Sequence, residues 1–194
     1  TPYGLRDRAM LELLYSTGIR RTELIGLELA DLSLSRQTVF IRAGKGGKDR
    51  LLPVGKHALS WIDSYLKQVR PHLMVDLNNE ALFLNDYGER FRDSSLGNRV
   101  KRYLKDARIM VPGSCHLLRH AMATHMMENG AEMRYLQAML GHSDLRATQV
   151  YTHVAIRRLQ EIHTATHPSE REAQQKEGGE LGELGGAISL IIYR

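Results

Sequence analysis

The segment His116-Leu-Leu-Arg119-His120 brings two imidazoles and a guanidinium together within five residues. On a helix, positions i, i+3 and i+4 share a face, so these three side chains are expected to point the same way. A helix is predicted over residues 116–129, with Gly130 at its end. Guanidinium groups match phosphate bidentately and stay charged at any working pH. The segment therefore predicts a helix that delivers a guanidinium and an imidazole to one phosphate.

Three more segments with chemistry-bearing side chains flank this helix. Each has a basic side chain close to a glycine, and the last also has a tyrosine. In chain order they are Thr17-Gly-Ile-Arg20-Arg-Thr-Glu23, the turn Gly44-Lys45-Gly-Gly-Lys48, and Leu140-Gly-His142-Ser-Asp followed nine residues after His142 by Tyr151-Thr-His153-Val.

The hydrophobic pattern predicts an α+β fold that is mainly helical. Thr1 and Pro2 form an N-cap and a first helical position, and a helix over residues 3–16 is expected to end at Gly18. Strands over residues 38–42 and 50–54 are predicted to form a small antiparallel sheet around a turn. Further helices are predicted over residues 22–29, 57–69, 93–108, 132–140, 144–151 and 154–166, and a short third strand over residues 81–85.

Composition favours a cytoplasmic protein with a polyanionic partner. One cysteine cannot form an internal disulfide, and no apolar run of membrane length occurs. Of the 27 Lys+Arg and 22 Asp+Glu, residues 169–194 hold three and five, which leaves 24 and 17 in residues 1–168. That domain therefore has a net charge of +7, which suits nucleic acid.

The chain is expected to divide at Pro168. Residues 1–168 form one domain, and residues 169–194 begin as a Gly- and Glu-rich linker. The linker ends in the apolar stretch Ala187-Ile-Ser-Leu-Ile-Ile-Tyr193. We interpret this tail as an appendage, either of artificial origin or able to bind a partner.

Together, these segments resemble the tyrosine recombinase (phage integrase) family, and most closely the bacterial Xer recombinases. The resemblance covers residues 1–168. Each residue alone has an ordinary structural explanation, but their common order and spacing is specific. The resemblance implies the mainly helical catalytic-domain fold of this family. It also implies DNA cleavage and rejoining through a 3′-phosphotyrosyl link and a Holliday junction, which needs no metal or nucleotide cofactor.

The resemblance assigns a role to each candidate residue. Arg20 and Arg119 would clamp the scissile phosphate, Tyr151 would be the nucleophile, Lys45 the general acid for the leaving oxygen, His116 an aid to proton transfer, His142 a hydrogen-bond donor to the phosphate, and Glu23 an orienting residue behind them.

The resemblance also implies partners. These are a double-stranded DNA recombination site, partner recombinase subunits in a tetramer on that DNA, and a septal DNA translocase as activator, with no membrane. The cellular role would be chromosome dimer resolution or mobile-element integration. Full recombinases carry an N-terminal core-binding domain, which this chain is expected to lack.

The helix over residues 154–166 would either dock on a neighbouring protomer or fold back on its own domain, and the region after Tyr151 is expected to be an interaction surface.

Other interpretations remain open. A type IB topoisomerase would share this chemistry, and a non-catalytic DNA-binding module could keep the fold. His116 and His120 have the spacing of a zinc-binding helix but lack the glutamate of HExxH. The Lys45 turn lacks the GxxxxGK[ST] pattern of a phosphate loop. Cys115 precedes His116 where the family usually has proline, which predicts a looser start of that helix.

Overall fold

The computed structural model describes residues 1–42, 49–141 and 153–171, with the side chains of its last helix from residue 156 onward. No helix within these ranges is long and apolar enough to cross a bilayer. Several predictions fall outside the described residues: the turn with Lys45, His142, the helix over residues 144–151, Tyr151 and the tail from residue 172.

The described part of the chain contains eight numbered α-helices and one three-stranded sheet, and residues 168–171 are also helical. The helices are α1 (Pro2–Thr17), α2 (Arg21–Gly26), α3 (Lys56–Gln68), α4 (Arg70–Leu73), α5 (Asp93–Asp106), α6 (Cys115–Glu128), α7 (Met133–Leu140) and α8 (His153–Thr166). The strands are β1 (Leu32–Ser33), β2 (Thr38–Ile41) and β3 (Arg50–Pro53), preceded by a 3₁₀ turn over Leu29–Asp31. The predicted α+β, mainly helical fold class is confirmed.

Helix α1 lies at the centre of the fold. Its residues 6–17 are all buried, and it packs mainly against α3 and α6. As predicted, Thr1 caps its start by accepting the N–H of Gly4, and Pro2 occupies the first turn. Gly18 ends it in the left-handed region at φ 64°. The core therefore fixes both the last turn of α1 and the start of the segment that follows.

Charged residues inside α1 are paired with partners of opposite charge. The fully buried Arg6 binds Asp7 at 2.9 Å and Asp86 at 2.7 Å. Arg8 binds Glu12 one turn further along at 2.7 Å, and both side chains are buried. A buried charge left without a partner is strongly destabilising. These pairs therefore restrict α1 to one rotation and one depth in the core.

The antiparallel sheet has the strand order β1-β2-β3. Val39 pairs with Leu52, and Phe40 with Leu51, so the two longer strands form the predicted hairpin. Val39 and Leu52 point into the core, whereas Phe40 is 36% exposed. Alternation of buried and exposed residues sets the register of a half-buried strand pair. The hairpin thus packs one face on the domain.

The prediction of a third strand over residues 81–85 is wrong. Ala81 and Leu84 each form only an isolated bridge, and the third strand is Leu32–Ser33, beside β2. Side chains form hydrogen bonds with the backbone of this buried run. Arg70 donates to the Ala81 carbonyl, and the Tyr65 hydroxyl accepts the Leu84 N–H. An apolar run predicts burial, but only tertiary contacts decide whether a strand neighbour is present.

Helix α2 also differs from its prediction, since it ends at Gly26 instead of residue 29. Leu27 is extended at φ −64° and ψ 142°, is buried, and accepts the N–H of Leu82 through its carbonyl. The helix therefore ends where the backbone of Leu27 pairs with that of Leu82.

Helix α8 folds back on its own domain. It packs against β3 and α6, with Leu159 buried in the core. His163 Nε2 lies 2.7 Å from the Ser16 carbonyl, and His167 Nε2 lies 3.1 Å from the Tyr15 carbonyl. Because a carbonyl only accepts, each Nε2 carries the proton. Of the two alternatives for this helix, the structure has the fold-back arrangement.

These histidines make the fold sensitive to mild acid. Burial lowers the pKa of His163 from 6.5 to about 4, and burial together with the neighbouring His163 holds the pKa of His167 well below its ordinary value. The unfolded chain therefore takes up protons first as the pH falls from 6.5. The free energy of unfolding should be highest above pH 6.5. The lowered pKa of His163 alone should decrease this free energy by about 2 kcal/mol at pH 5.

Urea denaturation at pH 7.5, 6 and 5 tests this expectation. His163→Gln keeps an N–H donor for the Ser16 carbonyl but does not titrate, so its stability should fall less over this range. If the free energy of unfolding decreased equally with pH in the wild-type chain and in His163→Gln, the expectation would be contradicted.

Candidate active site

Arg20 and Glu23 are joined at the start of α2. The backbone N–H of Arg20 donates to Glu23 Oε2 at 2.7 Å, and the Arg20 guanidinium donates to Oε1 at 3.1 Å. Glutamate at the third position of a helix commonly binds the N-cap backbone in this way. The Arg20 side chain remains 52% exposed. Glu23 therefore restrains a guanidinium that still faces solvent.

Arg119 joins three helices from its place on α6. Its Nη1 donates to the Gly18 carbonyl at 2.5 Å, and its Nη2 donates to the Leu140 carbonyl at 2.7 Å. Gly18 follows α1, and Leu140 is the last residue of α7. Carbonyls at helix ends lack partners within the helix, and cations are favoured there. The guanidinium is thus fixed by the ends of two helices.

Arg50, the first residue of β3, lies behind Glu23 and is 2% exposed. Its Nη1 and Nη2 donate to the two oxygens of Glu23, each at 2.9 Å. Its Nε donates to the Met139 carbonyl at 3.0 Å. Arg50 belongs to none of the motifs that mark the other candidate residues. The available signal was a basic residue opening an otherwise apolar strand, next to the glycine-rich turn.

Arg20, His116 and Arg119 meet at one pocket of about 290 Å³. His120 shares the helix face of His116 in sequence, but it is exposed and does not line this pocket. The lining residues come from the α1–α2 turn and from the start of α6. They are Ile19, Arg20, Arg21, Thr22, Ser114, Cys115, His116 and Arg119.

Positive charge exceeds negative charge around the pocket. Arg119 is influenced by the guanidiniums of Arg20 and Arg50 and by the carboxylate of Glu23, while Arg21, which also lines the pocket, is paired with Asp93. Burial and then the charge of Arg20 lower the pKa of Arg119 to about 10, so it stays charged at neutral pH. Burial raises the pKa of Glu23, but bonds from Arg50 and the Arg20 backbone outweigh this and hold it below 4.5. An anion in the pocket would relieve this repulsion.

Cys115 begins α6 and lines the pocket. Its N–H donates to the Ser114 hydroxyl at 2.6 Å, a bond that a proline could not make. The thiol is buried, and burial raises its pKa. Its sulfur is therefore protonated at neutral pH and unsuited to act as a nucleophile.

The described residues thus bring together four candidates from the sequence analysis: Arg20, Glu23, His116 and Arg119. The other three, Lys45, His142 and Tyr151, lie outside the described residues.

The chain belongs to the phage integrase family, which matches residues 1–158. It is 59% identical over 169 residues to "Tyrosine recombinase XerC 2" of Ralstonia nicotianae, covering 87% of this chain and 48% of that protein. It is 46% identical over 168 residues to "Tyrosine recombinase XerD" of Vibrio vulnificus, covering 86% and 55%. The chain spans about half the length of these curated relatives.

Solved structures share the fold. The crystal structure of XerA recombinase matches with a TM-score of 0.64 at 25% identity, over 93% of this chain and 64% of that one. XerH site-specific recombinase bound to its palindromic difH substrate, in a post-cleavage complex, matches with a TM-score of 0.63 at 22% identity, over 91% and 46%.

Gly141 lies where α7 meets Arg50. Its φ of 67° is left-handed, and a Cβ built there would lie 3.2 Å from the Arg50 Cζ. Gly141→Ala should therefore destabilise the fold by about 1–2 kcal/mol, chiefly through the left-handed backbone. Urea denaturation measures the loss.

Gly26→Ala is the matched control. Gly26 lies in α2, lacks a positive φ, and has nothing within 4 Å of its added Cβ. It should be neutral or slightly stabilising. If both variants lost the same free energy of unfolding, the left-handed backbone of Gly141 would not explain the loss.

Proposed function

We propose that this chain is the catalytic domain of a tyrosine site-specific recombinase, with the domain in residues 1–168 and Tyr151 as nucleophile. The observation that carries the proposal is the convergence of Arg20 and Arg119 on one positively charged pocket beside His116. Membership of the phage integrase family supports it. In this proposal the pocket receives the scissile phosphate of DNA.

The two guanidiniums suit a phosphodiester under attack. Negative charge gathers on the non-bridging oxygens of the five-coordinate transition state, where fixed donors act most strongly. Arg119 is held in place before substrate arrives because two donors already bind helix-end carbonyls. Arg20, restrained by Glu23, supplies the second cation.

The proton balance involves the other candidates. The Tyr151 oxygen forms a bond to phosphorus while the 5′ oxygen leaves. His116 takes part in removing the phenolic proton, Lys45 gives a proton to the leaving oxygen, and His142 donates to the phosphate. The 3′-phosphotyrosyl link keeps the bond energy, so the freed 5′ hydroxyl of a partner strand can reverse the step without nucleotide hydrolysis.

The partners belong to the same proposal. The net charge of +7 in residues 1–168 favours DNA, and a structural neighbour, XerH, is described as bound to its difH substrate. The chain would act in a tetramer of recombinase subunits on a double-stranded site, in the cytoplasm. Its cellular role would be chromosome dimer resolution or mobile-element integration, and a septal DNA translocase is the candidate activator in the first case.

Covalent capture tests the proposal. The chain is incubated with a pool of randomised, nicked DNA duplexes, and adducts that survive denaturation are recovered and sequenced. Tyr151→Phe lacks only the phenolic oxygen, so it should form no adduct while its DNA affinity and melting temperature stay unchanged. Recovery of adducts from Tyr151→Phe would show that another group is the nucleophile.

Two outcomes separate the alternatives. Relaxation of supercoiled plasmid without enrichment of any sequence would favour a type IB topoisomerase. Sequence-selective binding by the wild-type chain without an adduct would favour a non-catalytic DNA-binding module.

A test without DNA addresses the pocket itself. Inorganic phosphate should raise the melting temperature more than chloride at equal ionic strength, because it binds the folded chain beside Arg20 and Arg119. At a tenfold excess over its Kd, phosphate adds about 1.4 kcal/mol of stability. Arg20→Ala should lose this increment, whereas Arg36→Ala, an exposed arginine outside the pocket lining, should keep it. An identical increment in Arg20→Ala would contradict phosphate binding at this pocket.

A further inference from the structure

Arg50 is a buried arginine that lies outside the pocket lining and binds both Glu23, the partner of the pocket residue Arg20, and the end of α7. We propose that Arg50 is a positioning residue for strand cleavage: it fixes Glu23, and through it Arg20, relative to the end of α7. This inference rests on the proposed function.

The first link runs through Glu23. Each carboxylate oxygen accepts one bond from Arg50 and one from Arg20, so the carboxylate joins a buried guanidinium to an exposed one. Burial by itself favours the neutral acid, and Arg50 is the largest influence in the opposite direction. Without Arg50, a protonated Glu23 would hold the Arg20 guanidinium and backbone less firmly.

The second link runs through the end of α7. Arg50 binds the Met139 carbonyl, while Arg119 binds the carbonyl of the next residue, Leu140. Two guanidiniums thus hold neighbouring carbonyls of the final turn, and the chain continues within two residues to His142. Arg50 therefore fixes the point from which the segment toward His142 and Tyr151 departs.

The guanidinium shape is necessary for both links. Arg50 uses three N–H donors in a planar fork, two toward one carboxylate and one toward a carbonyl. Lysine has one compact ammonium group and cannot reproduce this fork. Arg50→Lys keeps the charge and should still lose the positioning.

The catalytic test compares Arg50→Lys and Arg50→Gln with the wild-type chain on the nicked duplex recovered by covalent capture. The cleavage rate at saturating DNA should fall on the order of 10- to 100-fold in both, as for residues that orient a site from behind. DNA affinity should change little, since Arg50 does not line the pocket.

Arg70→Lys is the matched control. Arg70 is also a buried arginine, 7% exposed, and it donates to the carbonyls of Asn79 and Ala81 away from the pocket. This substitution should lower the melting temperature and leave the cleavage rate per folded molecule unchanged. A loss of cleavage in Arg70→Lys as large as in Arg50→Lys would overturn the proposal, because general destabilisation would then explain both.

Two further readouts are insensitive to a merely structural role. In Arg50→Gln the pKa of the Glu23 carboxyl, followed by carbon NMR without DNA, should rise, and the acidic limb of the cleavage profile should move to higher pH. The double variant Glu23→Gln with Arg50→Gln should cleave about as slowly as the slower single variant, because both changes break one link.

The outcomes are distinguishable from failure of the proposed function. Wild-type cleavage by Arg50→Lys, an unchanged pKa of Glu23, or additive losses in the double variant would each overturn the positioning role. If the wild-type chain forms no adduct, the proposed function fails. The NMR titration then decides by itself whether Arg50 controls the ionisation of Glu23.

Discussion

The carbonyls at the end of the buried helix α1 are the constraint on which the rest of the structure depends. Helix ends leave carbonyls without intrahelical partners, and water cannot reach those of a helix at the centre of a core. Side chains from other helices take that role: His167 and His163 of the α8 region bind the carbonyls of Tyr15 and Ser16, and Arg119 of α6 binds that of Gly18. Hydrogen bonds to these carbonyls therefore hold α6 and the α8 region against the end of α1.

The same requirement concentrates positive charge at one place. Arg119 also binds the last carbonyl of α7, and Arg50 binds the one before it. Arg20 and Arg50 both bind the carboxylate of Glu23, and burial together with the charges of Arg20 and Arg50 lowers the pKa of Arg119 to about 10. Groups that hold helix ends together therefore also form an electropositive pocket that is ready before an anion arrives, which avoids an ordering cost at binding.

Helix α8 takes part in the same network from the C-terminal side. His163 of α8 and His167 just after it stack with ring centroids 4.6 Å apart, and burial lowers the pKa of both, so they are neutral in the core at neutral pH. Glu170 is 5% exposed and lies within 3.4 Å of the His57 N–H, so packing on the domain continues past Pro168, where composition predicts a tail. A change in composition indicates where polar residues begin, but it does not indicate which of them are buried by contacts with another helix.

The sequence by itself determined seven of the eight numbered helices (all but α4), the hairpin and the candidate residues Arg20, Glu23, His116 and Arg119, because caps, periodicity and short motifs are local. Tertiary structure alone decided that residues 81–85 lack strand neighbours, that α2 stops at Gly26, and that His120 stays outside the pocket. It also decided the place of Arg50, whose partners Glu23 and Met139 are far away in sequence. The physical reason is that a buried polar group takes whichever partner the packing of distant segments brings within hydrogen-bond distance, and no local pattern records that choice.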